Sequence, residues 1–168
     1  MCEPRIYVAC LASYNNGILH GKWIDAAQSA DGIYEEVAGM LETSPIADAE
    51  EWAIHDYEGF GAYRLSEYEG FESVSEIAEF IEEHEELGVE LLAYFSDVDE
   101  ARTAIDEQYA GCYDSLADFA EELTEGSMDV PERLRFYIDF ERMGRDMEMG
   151  GDICTFEIGC RVHVFWSN

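Results

Sequence analysis

Lysine is almost missing from this chain. Lys22 is the only one in 168 residues, and Lys plus Arg number 9 against 39 Asp plus Glu. The formal net charge of -30 at pH 7 excludes nucleic acid and anionic membrane surfaces as direct ligands, because both carry the same sign. It favours a basic partner. Self-repulsion at this charge costs stability without selecting a fold, so its explanation must lie in a partner, in solubility or in the solvent. Also missing is any apolar run of the roughly 18 residues that a membrane span needs. The opening MCEPRIYVAC lacks the basic region and small-residue cleavage site of a secretory signal, so the expected location is cytoplasmic. The cysteines Cys2, Cys10, Cys112, Cys154 and Cys160 are odd in number and scattered, with no C-x-x-C pair and no histidine at zinc-finger spacing. They are expected to be reduced thiols, mostly small core residues. There is no internal repeat of fixed period and no low-complexity linker.

What is present is enough to fold. With 48% hydrophobic and 13% aromatic residues, the chain can bury a core that disordered acidic sequences lack. The pattern predicts an α+β protein in three small domains, 1–60, 61–111 and 112–168. In the first, RIYVACLASY alternates, Asn15-Asn16-Gly17 offers a tight hairpin turn, and ILHGKWIDA returns. Asp31 then precedes Ile33, Val37 and Leu41 at helical spacing, Ser44-Pro45 closes that helix, and EWAIHDY reads as a third strand.

The second segment is an acidic helical domain. Ser73 with Glu76 forms a capping box, and Ile77, Phe80, Ile81 and Leu87 share one face while glutamates cover the rest. Leu91, Leu92 and Phe95, then Ala101, Ala104, Ile105 and Tyr109, continue the apolar side through two short helices, the last capped by Asp97 and ended by Gly111. The third segment starts at a second N-cap, Ser115, before LADFAEEL. Pro131 then opens one longer helix, PERLRFYIDFERMGRDM, and Gly150-Gly151 releases the chain into a terminal hairpin, ICTFEIG and CRVHVFW.

Motifs for catalysis do not emerge. The window Asp97-Val98-Asp99-Glu100-Ala101-Arg102 puts alanine at the fifth and arginine at the sixth loop position, where an EF-hand needs a ligand and glycine. Crowded carboxylates still leave non-motif binding of divalent cations open. With 39 acids, no pair can be nominated for a glycosidase. Gly59-Phe60-Gly61 stops short of a dinucleotide fingerprint because position 64 is Arg, and there is no G-x-S-x-G. His20, His55, His84 and His163 are each isolated in sequence and read as structural or surface residues. Tyr14, Trp23, Tyr34, Trp52, Tyr57, Phe60, Tyr63, Tyr68 and Phe71 could build a stacking or binding surface, but in a small α+β unit most of them should be core. No enzyme, cofactor or metal is predicted.

Two readings of the charge remain. In one, an acidic protein uses it for salt adaptation or divalent-cation binding; yet glutamates outnumber aspartates 26 to 13, and salt adaptation makes no demand for acidic runs on successive short helices. In the other, the carboxylates stand in for phosphates. Duplex DNA carries one charge per about 1.7 Å, so 30 net charges match roughly 50 Å of duplex and a symmetric dimer roughly 100 Å.

The opening PRIYVACLASYNNGILHGKWIDA, the stretch LRFYIDFERMGRDM with its glycine-rich turn, and the ending HVFW resemble the ArdA antirestriction family. The resemblance implies an elongated, curved homodimer, made by a mobile genetic element, that mimics bent B-form DNA. Such a protein fills the DNA groove of type I restriction-modification enzymes, methyltransferase core and endonuclease alike, without catalysis. It further implies that Glu76, Glu79, Glu82, Glu83, Glu86, Asp97, Asp99, Glu100, Asp106, Glu107, Asp114, Asp118, Glu121, Glu122 and Glu125 act as phosphate mimics. The family's antirestriction motif, associated with dimerisation, is located at Leu116 to Ile138. Four of the nine basic residues lie between Arg133 and Arg145 and fit poorly on a surface meant to look like phosphate. Arg133, Leu134, Tyr137, Ile138 and Arg142 are therefore assigned to the dimer contact.

Overall fold

The computed structural model describes residues 3–167; Cys2 lies outside them. It is an α+β structure with two antiparallel three-stranded sheets. By internal contacts the chain divides into two compact units, one reaching to Val98 and one starting at Asp99.

In the first unit, β1 (Arg5–Cys10) lies between β2 (Gly21–Asp25) and β3 (Trp52–Glu58). Alternation places Ile6 and Val8 in the core, and the register runs Ile6 to Ile24 on one side and Val8 to Ile54 on the other. The connection between β1 and β2 is longer than the tight turn expected at Asn15-Asn16-Gly17. A helical turn, α1 (Leu11–Asn15), intervenes because Cys10 Sγ accepts the Ser13 N–H at 3.4 Å and ends the strand early. Gly17 still supplies a positive φ of 74° in the loop.

Helix α2 (Ala30–Glu42) buries Ile33, Val37 and Met40. It starts ahead of Asp31, since Ser29 Oγ accepts the Gly32 N–H at 3.3 Å and is the cap. Helix α3 (Phe71–Phe95) also starts earlier than the Ser73–Glu76 box predicted. Phe71 is fully buried and stacks on Trp52 at 4.2 Å, which draws it into the first turn, and Ser73 Oγ instead donates to Glu69 Oε1 at 2.8 Å. The helix breaks at Glu85, whose φ of 52° and ψ of -132° fall in a region that side chains rarely adopt.

In the second unit, β6 (Arg161–Trp166) lies between β4 (Tyr109–Tyr113) and β5 (Ile153–Ile158). The terminal hairpin is as expected; β4 is not. Helix α4 (Val98–Thr103) runs into a π-helical turn at Ala104–Gln108, and Gly111, with φ 140°, lies inside β4 at a register shift rather than at a helix end. Helix α5 (Leu116–Ser127) is capped by Ser115, whose Oγ accepts the Asp118 N–H at 3.2 Å. It presses Phe119 into a core with Ile153 and Val164, bordered by Leu116, Leu123 and Met147.

The single long helix expected after Pro131 is two. Helix α6 (Glu132–Arg135) ends after one turn, and α7 (Phe140–Gly150) restarts with Asp139 Oδ1 accepting the Arg142 N–H at 3.0 Å. An aspartate that can hold a free backbone N–H favours a new start over a continuous helix. Gly151, at φ 81°, closes α7. Among the described residues no helix is long and apolar enough to cross a membrane.

Candidate functional site

The acidic surface begins on α3 because burial is one-sided there. Ile77, Ala78, Phe80 and Ile81 are buried, so Glu76, Glu79, Glu82 and Glu83 point outward, all exposed. Glu83 lies 3.8 Å from His84 Nε2, and His84 rests on Phe80 with ring centres 4.6 Å apart. Glu86, just past the break, is exposed too. Among the described residues no basic side chain pairs with Glu76, Glu79, Glu82 or Glu86. The seven-residue advance from Glu76 to Glu83 rises about 10.5 Å at 1.5 Å per residue. Along that rise the four residues are unevenly placed, about 4.5, 4.5 and 1.5 Å apart on the axis.

Further along, Asp97 directly precedes α4, Asp99 and Glu100 form its first turn, and Asp106 and Glu107 occupy the π-helical turn; all five are exposed. The acids from Asp114 to Glu125 have named partners. Asp114 meets Arg161 at 3.3 Å, Asp118 accepts the Ser115 hydroxyl at 2.6 Å, and Glu122 accepts the Tyr113 hydroxyl at 3.2 Å. Glu121 and Glu125 both hold Arg135: its Nη2 lies 2.8 Å from Glu121 Oε1 and also contacts Glu125 Oε1. Those two carboxylates raise the Arg135 guanidinium above its ordinary range, the Glu121 hydrogen bond contributing most.

The residues assigned to the dimer contact fall on α6, α7 and the turn between them. Leu134 and Tyr137 are 53% and 85% exposed, and neighbouring Phe136, which the sequence reading passed over, is 88% exposed. Adjacent aromatics flanked by arginines were the available signal. Ile138 is half-buried and Arg133 exposed. Arg142 pairs within its helix to Asp146 at 3.5 Å, as Arg145 does to Glu141 at 3.0 Å.

One histidine isolated in sequence has neighbours in space. His163 Nδ1 lies 2.9 Å from the Tyr109 hydroxyl and His163 Nε2 3.5 Å from Cys112 Sγ. Burial, then the nearby Arg161 guanidinium, lowers its pKa. Among the described residues no three or more His, Cys, Asp and Glu side chains converge to hold a metal ion.

Compared with known protein families, residues 6–162 match the family model described as antirestriction protein (ArdA). No curated protein matches the chain.

Proposed function

The chain belongs to the ArdA family of antirestriction proteins, and we propose from that membership that it inhibits type I restriction-modification enzymes by presenting carboxylates where their groove expects DNA phosphates. The observation that carries this reading is the one-sided burial of α3, which leaves Glu76, Glu79, Glu82 and Glu83 exposed, the first three without a basic partner among the described residues. The protein then acts as a competitive ligand, not an enzyme, and its affinity comes from many weak charge contacts with a basic groove. The reading keeps three segments, 1–60, 61–111 and 112–168, with the acidic surface from Glu76 to Glu125 spanning the second and entering the third. Glu121 and Glu125 are partly neutralised within the chain by Arg135.

The same reading places a homodimer contact at Leu134, Phe136 and Tyr137, since apolar side chains this exposed are candidates for burial against a second copy. Arg133 and Arg142 beside them would offset repulsion between two chains of charge -30 each.

A neutralisation series tests the mimicry. Glu76→Gln, Glu79→Gln, Glu82→Gln and Glu83→Gln, singly and combined, are assayed for inhibition of DNA cleavage by a type I enzyme. Each single change should weaken inhibition by no more than about fivefold, the scale of an exposed ion pair, with graded losses on combination. If one isosteric change abolished inhibition in a folded protein, pure mimicry would fail.

A further inference from the structure

The first compact unit contains an open pocket of about 440 Å³ lined by Leu11, Glu50, Glu51, Trp52 and Tyr68. Three observations distinguish it from surface relief. First, Tyr68 is 67% exposed, yet its loop is held: the Ile54 N–H donates to Glu67 O at 2.8 Å, the Glu69 N–H to Ser66 O at 3.1 Å, and Ser73 Oγ to Glu69 Oε1 at 2.8 Å. Second, Trp52 is fixed by stacking on buried Phe71 at 4.2 Å with an interplanar angle of 20°. The Leu11 N–H to Glu51 O bond at 3.0 Å ties the start of α1 to the entry of β3 on the same wall. Third, the lining combines two aromatic rings and two carboxylates with no basic residue.

We propose that this pocket binds a guanidinium group, in the form of an arginine side chain presented by a basic partner. Aromatic faces attract cations, and carboxylates beside them reject anions and reward a positive ligand. A planar guanidinium can stack on a ring and donate to carboxylates at once, which an ammonium cannot. The chain satisfies its own Arg5 in this way: Arg5 Cζ sits 4.8 Å over the Trp23 ring while Arg5 Nη2 meets Glu58 Oε2 at 2.6 Å. Trp52, Tyr68, Glu50 and Glu51 offer the same pair of chemistries to an arginine from outside. That such a partner is a restriction enzyme rests on the function proposed above; the preference for guanidinium does not.

The test uses the full chain alone. The indole N–H of Trp52 is followed by nitrogen-15 NMR during titration with N-acetyl-arginine amide and, separately, N-acetyl-lysine amide. The arginine derivative should give a saturable shift and bind about threefold or more tighter than the lysine derivative. Tyr68→Ala should weaken it about three- to fivefold, and Tyr68→Phe should retain binding. Absence of a saturable shift, equal affinity for lysine, or unchanged binding by Tyr68→Ala overturns the proposal. Because no restriction enzyme is present, these outcomes are independent of whether the carboxylates of α3 mimic DNA.

Discussion

Gly144 lies buried on α7 where that helix crosses α5. A Cβ added there would sit 2.7 Å from the Leu116 carbonyl oxygen and 2.9 Å from Leu116 Cβ. The nearest atom is backbone, so rotation of a side chain cannot relieve the clash and the two helices must separate by several tenths of an ångström. Forcing atoms into a packed site costs typically about 1–3 kcal/mol, while exchanging a helical glycine for alanine returns about 1 kcal/mol. Gly144→Ala should therefore destabilise the protein by about 1 kcal/mol, and up to about 2. Gly126, on α5 with nothing within 4 Å of its Cβ position, has only the propensity gain, and Gly126→Ala should stabilise by about 0.5–1 kcal/mol. Urea unfolding followed by far-ultraviolet circular dichroism reads both. If Gly144→Ala gained as much stability as Gly126→Ala, the close packing of α5 on α7 would be wrong.

Other perturbations follow the same logic. Glu85→Gly should stabilise by about 1 kcal/mol, because glycine accepts the positive φ that glutamate holds only under strain; a loss of stability in the same urea titration would count against the break in α3. His163 has a lowered pKa in the folded chain, so its contribution is fully present above the unfolded value of about 6.5 and is lost as pH falls through the folded value. The stability difference between parent and His163→Gln should accordingly shrink or invert on acidification below about pH 6.5, and a difference independent of pH would contradict the burial of that ring. Phe136→Ser and Tyr137→Ser should shift sedimentation toward monomer without altering the circular dichroism, since both side chains are exposed in a single chain; an unchanged sedimentation coefficient would remove the dimer contact from this turn.

The sheet of the first unit and the terminal hairpin could be read from short runs of β-formers bounded by turn residues, although burial does not keep a period of two: Val8, Ala9 and Cys10 are buried in succession on β1, and Val164 and Phe165 on β6. Strand β4 could not: YAGCY has two small residues, follows a helical run directly, and contains a glycine that looks like a helix stop. Its strand character comes from pairing with β6, as in Cys112 opposite His163, more than fifty residues away. The break at Asp139 was hidden for a related reason, as an aspartate within an amphipathic run reads equally well as solvent-facing or as a cap. Among the acids, exposure on α3 was legible because Ile77 and Ile81 fix which side is buried. The capture of Glu121 and Glu125 by Arg135 was not, since a one-turn helix had to place that guanidinium across from α5.

Competition with DNA tests the central claim most directly. A fluorescent duplex bound to a purified type I methyltransferase core is titrated with the chain at salt concentrations from about 50 to 300 mM. Mimicry predicts full displacement of the duplex, with an affinity that falls steeply as salt rises. Inhibition without displacement, or an affinity indifferent to salt, would contradict it.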